Sequence, residues 1–297
     1  MDVSLYWQEK TMLTNQPLFS ENTKIINVQN TNPIYISTGA FIGRKNGRNY
    51  RLALEFATQI ASDGYEFLIF DDYYENIDKI INDYRSAKLN IPVVHVEKQI
   101  GDLMGGAIEE YAKSKKLFTL NCDIAARLDS KKVVLHAWGY PASDSNPDLT
   151  CERLREYIDI AKQFSVDLLI ENILCTHNDP LPFLQKIHTA LPDIKFIIDT
   201  RHAQFHRELE KILDSDIMQN VRHFHINDYS GGYKEWNKLN PILQPGKGDV
   251  NWAVFFEKLK KQKYAHSITL EAPSMMEYGV DLKTLNNSLE FIRKGIK

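Results

Sequence analysis

The sequence has few cysteines and no long hydrophobic run, and both shortages argue against whole classes of protein. Its three cysteines, Cys122, Cys151 and Cys175, form no CxxC pair, which argues against a disulfide framework or a thiolate zinc site and favours a reducing compartment. No stretch approaches the roughly 18 apolar residues that a membrane span needs. The first ten residues, MDVSLYWQEK, lack the basic start and apolar run of a signal peptide. We therefore expect a cytoplasmic protein that is neither secreted nor embedded in a membrane.

A concentration of positive charge is also missing. The chain has 36 Lys and Arg against 39 Asp and Glu, a formal net charge of −3, and its basic residues are scattered along the sequence. Proteins that bind a nucleic-acid backbone usually carry a basic stripe or patch. We therefore expect no nucleic-acid partner.

The sequence does contain a regular alternation of short apolar runs and longer amphipathic segments, eight of each, from about residue 33 onward. The runs are rich in Val and Ile, as is typical of parallel strands covered by helices. The predicted strands span residues 33–39, 65–70, 91–97, 131–138, 167–173, 194–200, 221–228 and 266–273. Predicted helices, with apolar residues three and four apart, include 49–62, 151–164, 251–262 and 281–294.

Eight strand-helix units predict a single α/β domain, a (β/α)8 TIM barrel over residues 31–297, preceded by a polar N-terminal extension over residues 1–30. The alternative is an open doubly wound sheet. Nucleotide-binding sheets of that kind carry a GxGxxG turn after the first strand, and the corresponding STGAFIGRKNGRN lacks this spacing. The barrel is therefore favoured.

Six consecutive predicted strands carry a residue able to bind metal at or near the C-terminal end, which is the face that holds the active site of a TIM barrel. These residues are His95, His136, Glu171, Asp199, His225 and Glu271. Glu171 and Glu271 follow the buried runs LLI and ITL, where an unpaired charge would be costly. Three carboxylates in one cavity would repel one another and take up protons unless a cation lay among them.

The donor set indicates which cation this would be. Oxygen ligands from Glu171, Asp199 and Glu271 with one imidazole from His225 suit a hard to borderline divalent ion. We therefore predict one divalent metal ion as cofactor, namely Mn²⁺, Mg²⁺, Co²⁺ or Zn²⁺.

Three neighbouring polar residues are assigned other roles. His223 shares the inward direction of His225 but lies two residues deeper, so it is predicted to be a hydrogen-bonded core histidine. His206 lies where a helix is expected to begin and is predicted to be on the surface. Asp228 either orients a neighbour, caps a helix or acts in catalysis, and these roles stay open.

With these residues the sequence resembles the xylose isomerase-like barrel superfamily, in particular its sugar isomerase/epimerase group of ketose 3-epimerases, hydroxypyruvate isomerases and inosose dehydratases. The resemblance covers about residues 33–295 and rests on the motifs LLIEN, IIDTRH, HFHIND, PGKGDVNW and ITLEAP. It implies that the metal ligands are Glu171, Asp199, His225 and Glu271. Members of this superfamily are often dimers or tetramers, which is compatible with a homo-oligomer.

The resemblance also implies an activity, the isomerisation or epimerisation of a small carbohydrate substrate. Glu171 and Glu271 would form the acid/base pair that removes a proton next to a carbonyl and returns it, while the metal stabilises the intervening enediolate. His202 would contact the substrate near the reacting carbons, and His95 and His136 are further candidates for substrate binding. The chain departs from the epimerase pattern at His177, where those enzymes have a second glutamate, so the substrate contacts stay open.

Three alternatives remain. A dehydratase related to inosose dehydratase could use the same enediolate and expel a hydroxyl, with one of the three histidines as proton donor. A zinc phosphodiesterase related to endonuclease IV has the same barrel, but this chain has Asn240 and Ile242 where two of its metal ligands are expected. The third is a barrel that binds a sugar without turning it over.

Overall fold

The fold was obtained as a computed structural model that describes residues 32–139, 143–277 and 279–297. Eight parallel strands close into a barrel in chain order, β1 through β8, with β1 paired to β8. The strands are β1 Ile34–Ser37, β2 Gly64–Leu68, β3 Val93–His95, β4 Lys132–Leu135, β5 Asp167–Glu171, β6 Lys195–Asp199, β7 Val221–Ile226 and β8 Ser267–Leu270. A short antiparallel hairpin of β9 Met275–Met276 and β10 Gly279–Val280 follows β8. The predicted (β/α)8 TIM barrel is therefore confirmed, and the predicted N-terminal extension, residues 1–30, lies outside the described residues.

Helices cover the outside of the barrel. They are α1 Leu52–Glu55, α2 Ile77–Ser86, α3 Gln99–Met104, α4 Ile108–Arg127, α5 Pro147–Gln163, α6 Pro180–Ala190, α7 Thr200–Phe205, α8 Leu209–Leu213, α9 Trp252–Lys261 and α10 Leu282–Ile296. Side-chain caps fix several helix starts, as where Asn146 and Asn251 accept hydrogen bonds from the backbone N–H groups of Leu149 and Val254. None of the helices within the described ranges is long and apolar enough to cross a membrane.

One predicted helix is much shorter than its sequence pattern indicated. Residues 49–62 were expected to form a helix, but only Leu52–Glu55 does so, and the rest forms turns. Asn286 on α10 binds this turn region on both sides, since its side chain accepts from Ala61 N at 2.8 Å and donates to Gln59 O at 2.8 Å. These tertiary hydrogen bonds replace those of a continuing helix.

A close approach holds α3 against the loop that follows β4. Gly101 on α3 lies so near this loop that a Cβ atom there would stand 2.9 Å from the carbonyl oxygen of Trp138 and closer still to that of His136. Only a residue without a side chain fits this contact. The position of His136 at the mouth of the barrel therefore depends on Gly101.

Replacing Gly101 by alanine is expected to lower the free energy of unfolding by about 1–3 kcal/mol, because a methyl group would force α3 away from this backbone. Urea unfolding of the variant and the parent measures the difference. Gly232→Ala is the control, since a Cβ there would meet only the flexible end of Glu235 at 3.3 Å. Equal losses in the two variants would contradict the assigned contact.

Candidate metal and substrate site

The six residues predicted at the strand ends all lie at the C-terminal mouth of the barrel. His95, Glu171 and Asp199 are the last residues of β3, β5 and β6. His225 lies one residue before the end of β7, and its backbone pairs with those of Asp199 and Thr269. His136 and Glu271 directly follow β4 and β8.

A β-bulge in β7 determines on which side of the strand the side chains of His223 and His225 lie. Phe196 pairs with Val221 and Ile197 pairs with His223, so one residue of β7, Arg222, has no counterpart on β6. Such a bulge shifts the alternation of side chains along a strand. His223 and His225 are both fully buried inside the barrel as a result.

The four predicted metal ligands converge on one point. A donor atom from each of Glu171, Asp199, His225 and Glu271 lies within 4.8 Å of the others. His225 Nδ1 is 3.2 Å from Glu171 Oε1 and 3.7 Å from Glu271 Oε2. Glu171 and Asp199 are buried, while the Glu271 side chain is 20% exposed and forms the open side of the cluster.

Two asparagines that were not predicted from the sequence hold this cluster in place, one through its carboxylates and the other through the backbone of Asp199. Asn227 donates through Nδ2 to Asp199 Oδ2 at 2.7 Å and to Glu271 Oε2 at 3.1 Å. Asn172 accepts from the backbone N–H of Asp199 at 2.6 Å and donates to its carbonyl at 3.2 Å. Asn172 directly follows Glu171 in the motif LLIEN, and Asn227 lies two residues beyond His225 in the motif HFHIND. Their closeness to predicted ligands was the signal in the sequence that could have identified them.

The charges in the cluster are not balanced by the protein alone. Burial, together with the charges of Glu271 and Glu171, raises the pKa of Asp199 to about 7. Burial by itself would lower the pKa of His225, but the charges of Glu66, Glu271 and Glu171 outweigh it and raise that pKa well above its ordinary value. A divalent cation among these groups would let all three carboxylates ionise, so the donor set fits such an ion.

The other three predicted site histidines surround Glu171. His136 Nε2 is 2.9 Å and His95 Nε2 is 3.4 Å from Glu171 Oε2, while His202 Nδ1 is 3.8 Å from Glu171 Oε1. Among the described residues, His95 Nε2 and His202 Nδ1 are buried without a hydrogen-bond partner. Burial lowers the pKa of His136 to about 4 and that of His202 well below its ordinary value. His136 and His202 are therefore uncharged at neutral pH, and His95 and His202 each have a ring nitrogen available to a substrate or an ion.

Asp199 has a second role at this place, because it also begins a helix. Its Oδ1 accepts from the backbone N–H of His202 at 2.8 Å and caps the N-terminus of α7. The three-residue spacing of Asp199 and His202 in the motif IIDTRH thus follows from the geometry of the helix cap. The same geometry places His202 Nδ1 4.0 Å from Asp199 Oδ1.

Asp228 orients its neighbours, which was one of the roles left open. Its carboxylate is buried and accepts four hydrogen bonds of 2.8–3.1 Å, from the backbone N–H groups of Tyr229, Gly246 and Val250 and from the indole of Trp252. Gly246 has a φ of +80°, and a Cβ on Gly248 would lie 2.5 Å from Asp228 Oδ1. The motifs HFHIND and PGKGDVNW therefore meet at one carboxylate.

The prediction for His206 was wrong. Its side chain is buried behind α7, where Nδ1 lies 2.8 Å from Asp179 Oδ1 and Nε2 accepts from the backbone N–H of Cys175 at 3.2 Å. The helix α7 ends at Phe205, so His206 follows a helix and does not begin one. His223 is hydrogen-bonded in the core as predicted, and its charged partner, Glu66 on β2, was not identified from the sequence.

Comparisons with known proteins agree with this architecture. A model of the family described as xylose isomerase-like TIM barrel matches residues 54–295. No curated protein sequence matches the chain significantly. Similar solved structures include three described next, and each is less than 20% identical to this chain.

The 3-keto-D-glucoside 4-epimerase YcjR from E. coli is 18% identical, with a TM-score of 0.65 over 89% of this chain and 100% of that one. The D-allulose 3-epimerase from Methylomonas sp., solved with D-allulose, is 16% identical, with a TM-score of 0.65 over 89% and 97% of the two chains. The IOLI protein, solved with a zinc atom, is 14% identical, with a TM-score of 0.67 over 89% and 96%. At these identities the likeness establishes a common fold.

Proposed function

Because the chain belongs to the xylose isomerase-like TIM barrel family, we propose that it is a divalent-metal-dependent sugar isomerase or epimerase. The observation that carries the proposal is the convergence of Glu171, Asp199, His225 and Glu271 within 4.8 Å at the mouth of the barrel. Structural neighbours that are named as sugar epimerases, and one that holds zinc, support it. The ion would be Mn²⁺, Mg²⁺, Co²⁺ or Zn²⁺, with these four side chains as its ligands.

Glu171 and Glu271 are assigned separate roles in the proposed proton transfer. A bound divalent ion would stabilise negative charge that develops on the substrate oxygens. Glu171 and Glu271 are the proposed acid/base pair, since a carboxylate next to the reacting carbon can remove a proton and another can return one. The open side of the cluster at Glu271 admits the substrate, while buried Glu171 is shielded from water.

Three histidines complete the proposed substrate site. The rings of His202, His95 and His136 surround Glu171. Burial keeps His136 and His202 uncharged at neutral pH, and one ring nitrogen of His95 and one of His202 lack a hydrogen-bond partner. A neutral imidazole can form hydrogen bonds with sugar hydroxyls without adding positive charge beside the cation. The proposed substrate is a small carbohydrate with a carbonyl next to a hydroxyl-bearing carbon.

A count of tightly held ions tests this proposal. We expect native mass spectrometry after incubation with Mn²⁺ or Zn²⁺ to give one ion per chain. We then expect a screen of ketoses in D₂O to find at least one that gains deuterium from solvent. A chain that holds no divalent ion, or that exchanges no deuterium into any ketose or keto-polyol, would contradict the proposal.

The second candidate is a metal-dependent phosphodiesterase, and a separate cluster favours it. Donor atoms of His95, His136 and Glu171 also lie within 4.8 Å of one another, as an additional zinc ion would require. Against it, the places of two further ligands are taken by Asn240 and Ile242, and isoleucine has no donor atom. Two or three ions per chain in the same measurement, with hydrolysis of a DNA phosphodiester, would favour this candidate.

A further inference from the structure

The interior of the barrel is apolar on one side and polar on the other. Val93, Val134, Leu169 and Ile197, from β3 to β6, form a separate apolar cluster. The opposite side is lined by buried polar side chains from β2, β7 and β8, namely Glu66, His223, Ser267 and Thr269, and Lys132 of β4 reaches Ser267 with its Nζ. Barrel interiors are usually filled by bulky aliphatic side chains, so a fully buried carboxylate in this layer needs a physical reason.

Glu66 joins the two histidines of β7. Its Oε1 is 2.7 Å from His225 Nε2, and its Oε2 is 2.9 Å from His223 Nε2. All three side chains are fully buried. With one carboxylate oxygen placed against each imidazole nitrogen, Glu66 is the shared hydrogen-bond acceptor of the two rings, because an ionised carboxylate can only accept.

The donor and acceptor in each hydrogen bond among these polar side chains can be assigned by starting from Lys132, the first residue of β4. Lys132 can only donate, and its Nζ lies 2.7 Å from Ser267 Oγ. The Ser267 hydroxyl is therefore free to donate to His223 Nδ1 at 2.6 Å, which leaves the His223 proton on Nε2, facing Glu66. Thr269 Oγ1 lies 2.9 Å from the same Nε2 and shares its proton.

The same reasoning fixes the ring of His225. Because Glu66 Oε1 only accepts, His225 Nε2 must carry a proton and donate it. Nδ1, the nitrogen whose lone pair would bind a cation, then points to the other side, where Glu171 Oε1 is 3.2 Å and Glu271 Oε2 is 3.7 Å away. This is the nitrogen that faces the predicted metal ligands.

We propose that Glu66 is the positioning residue for His225, holding its proton on Nε2 and its ring rotated so that Nδ1 is presented to a divalent cation. This inference rests on the proposed function, because it concerns the same cation. A carboxylate that accepts from the far nitrogen of a metal-binding imidazole orients the ring and increases its basicity, and loss of such a partner lowers metal affinity by about 10- to 100-fold.

The test compares Glu66→Gln with Thr269→Val. The first variant keeps the shape of the side chain but removes its negative charge. The second is a matched control, because Thr269 contacts His223 in the same layer of the barrel while His225 keeps its carboxylate. Metal-free forms of both variants are first compared with the wild type by thermal unfolding. Each is then titrated with Mn²⁺ and with Co²⁺, whose absorption spectrum reports the geometry of its ligands.

We expect Glu66→Gln to bind Mn²⁺ about 10- to 100-fold more weakly and to alter the Co²⁺ spectrum. We expect Thr269→Val to stay within about threefold of the wild type in affinity, with the same spectrum. The inference is overturned if Glu66→Gln binds within about threefold and leaves the spectrum unchanged, or if Thr269→Val weakens binding equally. A wild type that binds neither ion contradicts the proposed function itself.

A measurement on the wild type keeps the inference testable even if Glu66→Gln does not fold. In ¹H–¹⁵N spectra of the Zn²⁺-loaded chain, we expect His225 to carry its proton on Nε2 and to bind the ion through Nδ1. A proton on Nδ1, or an ion bound through Nε2, would overturn the inference.

Discussion

Glu171→Gln is expected to reduce deuterium exchange into a ketose substrate by about 100- to 10,000-fold, because a positioned general base supplies a factor of this size and the amide cannot accept the proton. Glutamine has nearly the same shape as glutamate, so the fold should be retained, as circular dichroism would check. The exchange rate is measured on whichever ketose the wild type processes. Exchange that persists at the parent rate would show that the acid/base assignment is wrong.

Two further variants sharpen this result. Glu271→Gln should cause a loss of the same order, since it removes the other member of the proposed pair. Glu210→Gln on α8 is the matched control, because this glutamate is exposed and its helix contains none of the predicted site residues. Lost exchange with the ion and the ketose still bound identifies an enzyme. A wild type that binds the ketose but never exchanges it would instead be a sugar-binding barrel.

Asp228→Ala is expected to lower the free energy of unfolding by about 3–5 kcal/mol, because it leaves four N–H donors, three of them buried, without their acceptor. Three of those donors, from Gly246, Val250 and Trp252, belong to the PGKGDVNW motif, so its loop loses three hydrogen bonds to the segment that follows β7. Chemical unfolding of the metal-free chain measures this loss without any contribution from a bound ion.

The control for Asp228→Ala is Asp249→Ala, which removes an exposed carboxylate from the same loop and should change stability by less than about 0.5 kcal/mol. Asp228→Asn should fall between the two, because an amide oxygen still accepts while its NH₂ group faces donors. A loss of stability in Asp228→Ala no greater than in Asp249→Ala would contradict the role assigned to this residue.

The sequence predicted the barrel because its pattern has a local cause. Parallel strands that are buried on both faces need continuous apolar runs, and each must be followed by an amphipathic helix, so eight such units specify the architecture. The same rule predicted which residues meet at the mouth. The strands all end on one face, so His95, Glu171, Asp199 and His225 are brought together by topology even though they are far apart in the chain.

Prediction from the sequence was weaker wherever contacts between distant segments overrule the local pattern. The helix expected over residues 49–62 stops at Glu55, since Asn286 binds the backbone that would have continued it. His206 has polar neighbours in the sequence, but the fold buries it against Asp179. In both cases the deciding partner is many residues away and has no fixed spacing.

Glu66 best illustrates the division between sequence and tertiary structure. The sequence alone determined that six strand ends carry ligand-type residues and that their carboxylates require a compensating charge, because burial of an apolar run and the parallel order of the strands are properties of the chain itself. Glu66 was not singled out from the sequence, where it is the one charged residue in the predicted strand over residues 65–70. That this carboxylate meets both His223 and His225 was decided by the closure of the barrel and by the bulge at Arg222, which together set the side to which β7 turns its histidines. Closure and register depend on all eight strands at once, and for that reason only the tertiary structure could decide them.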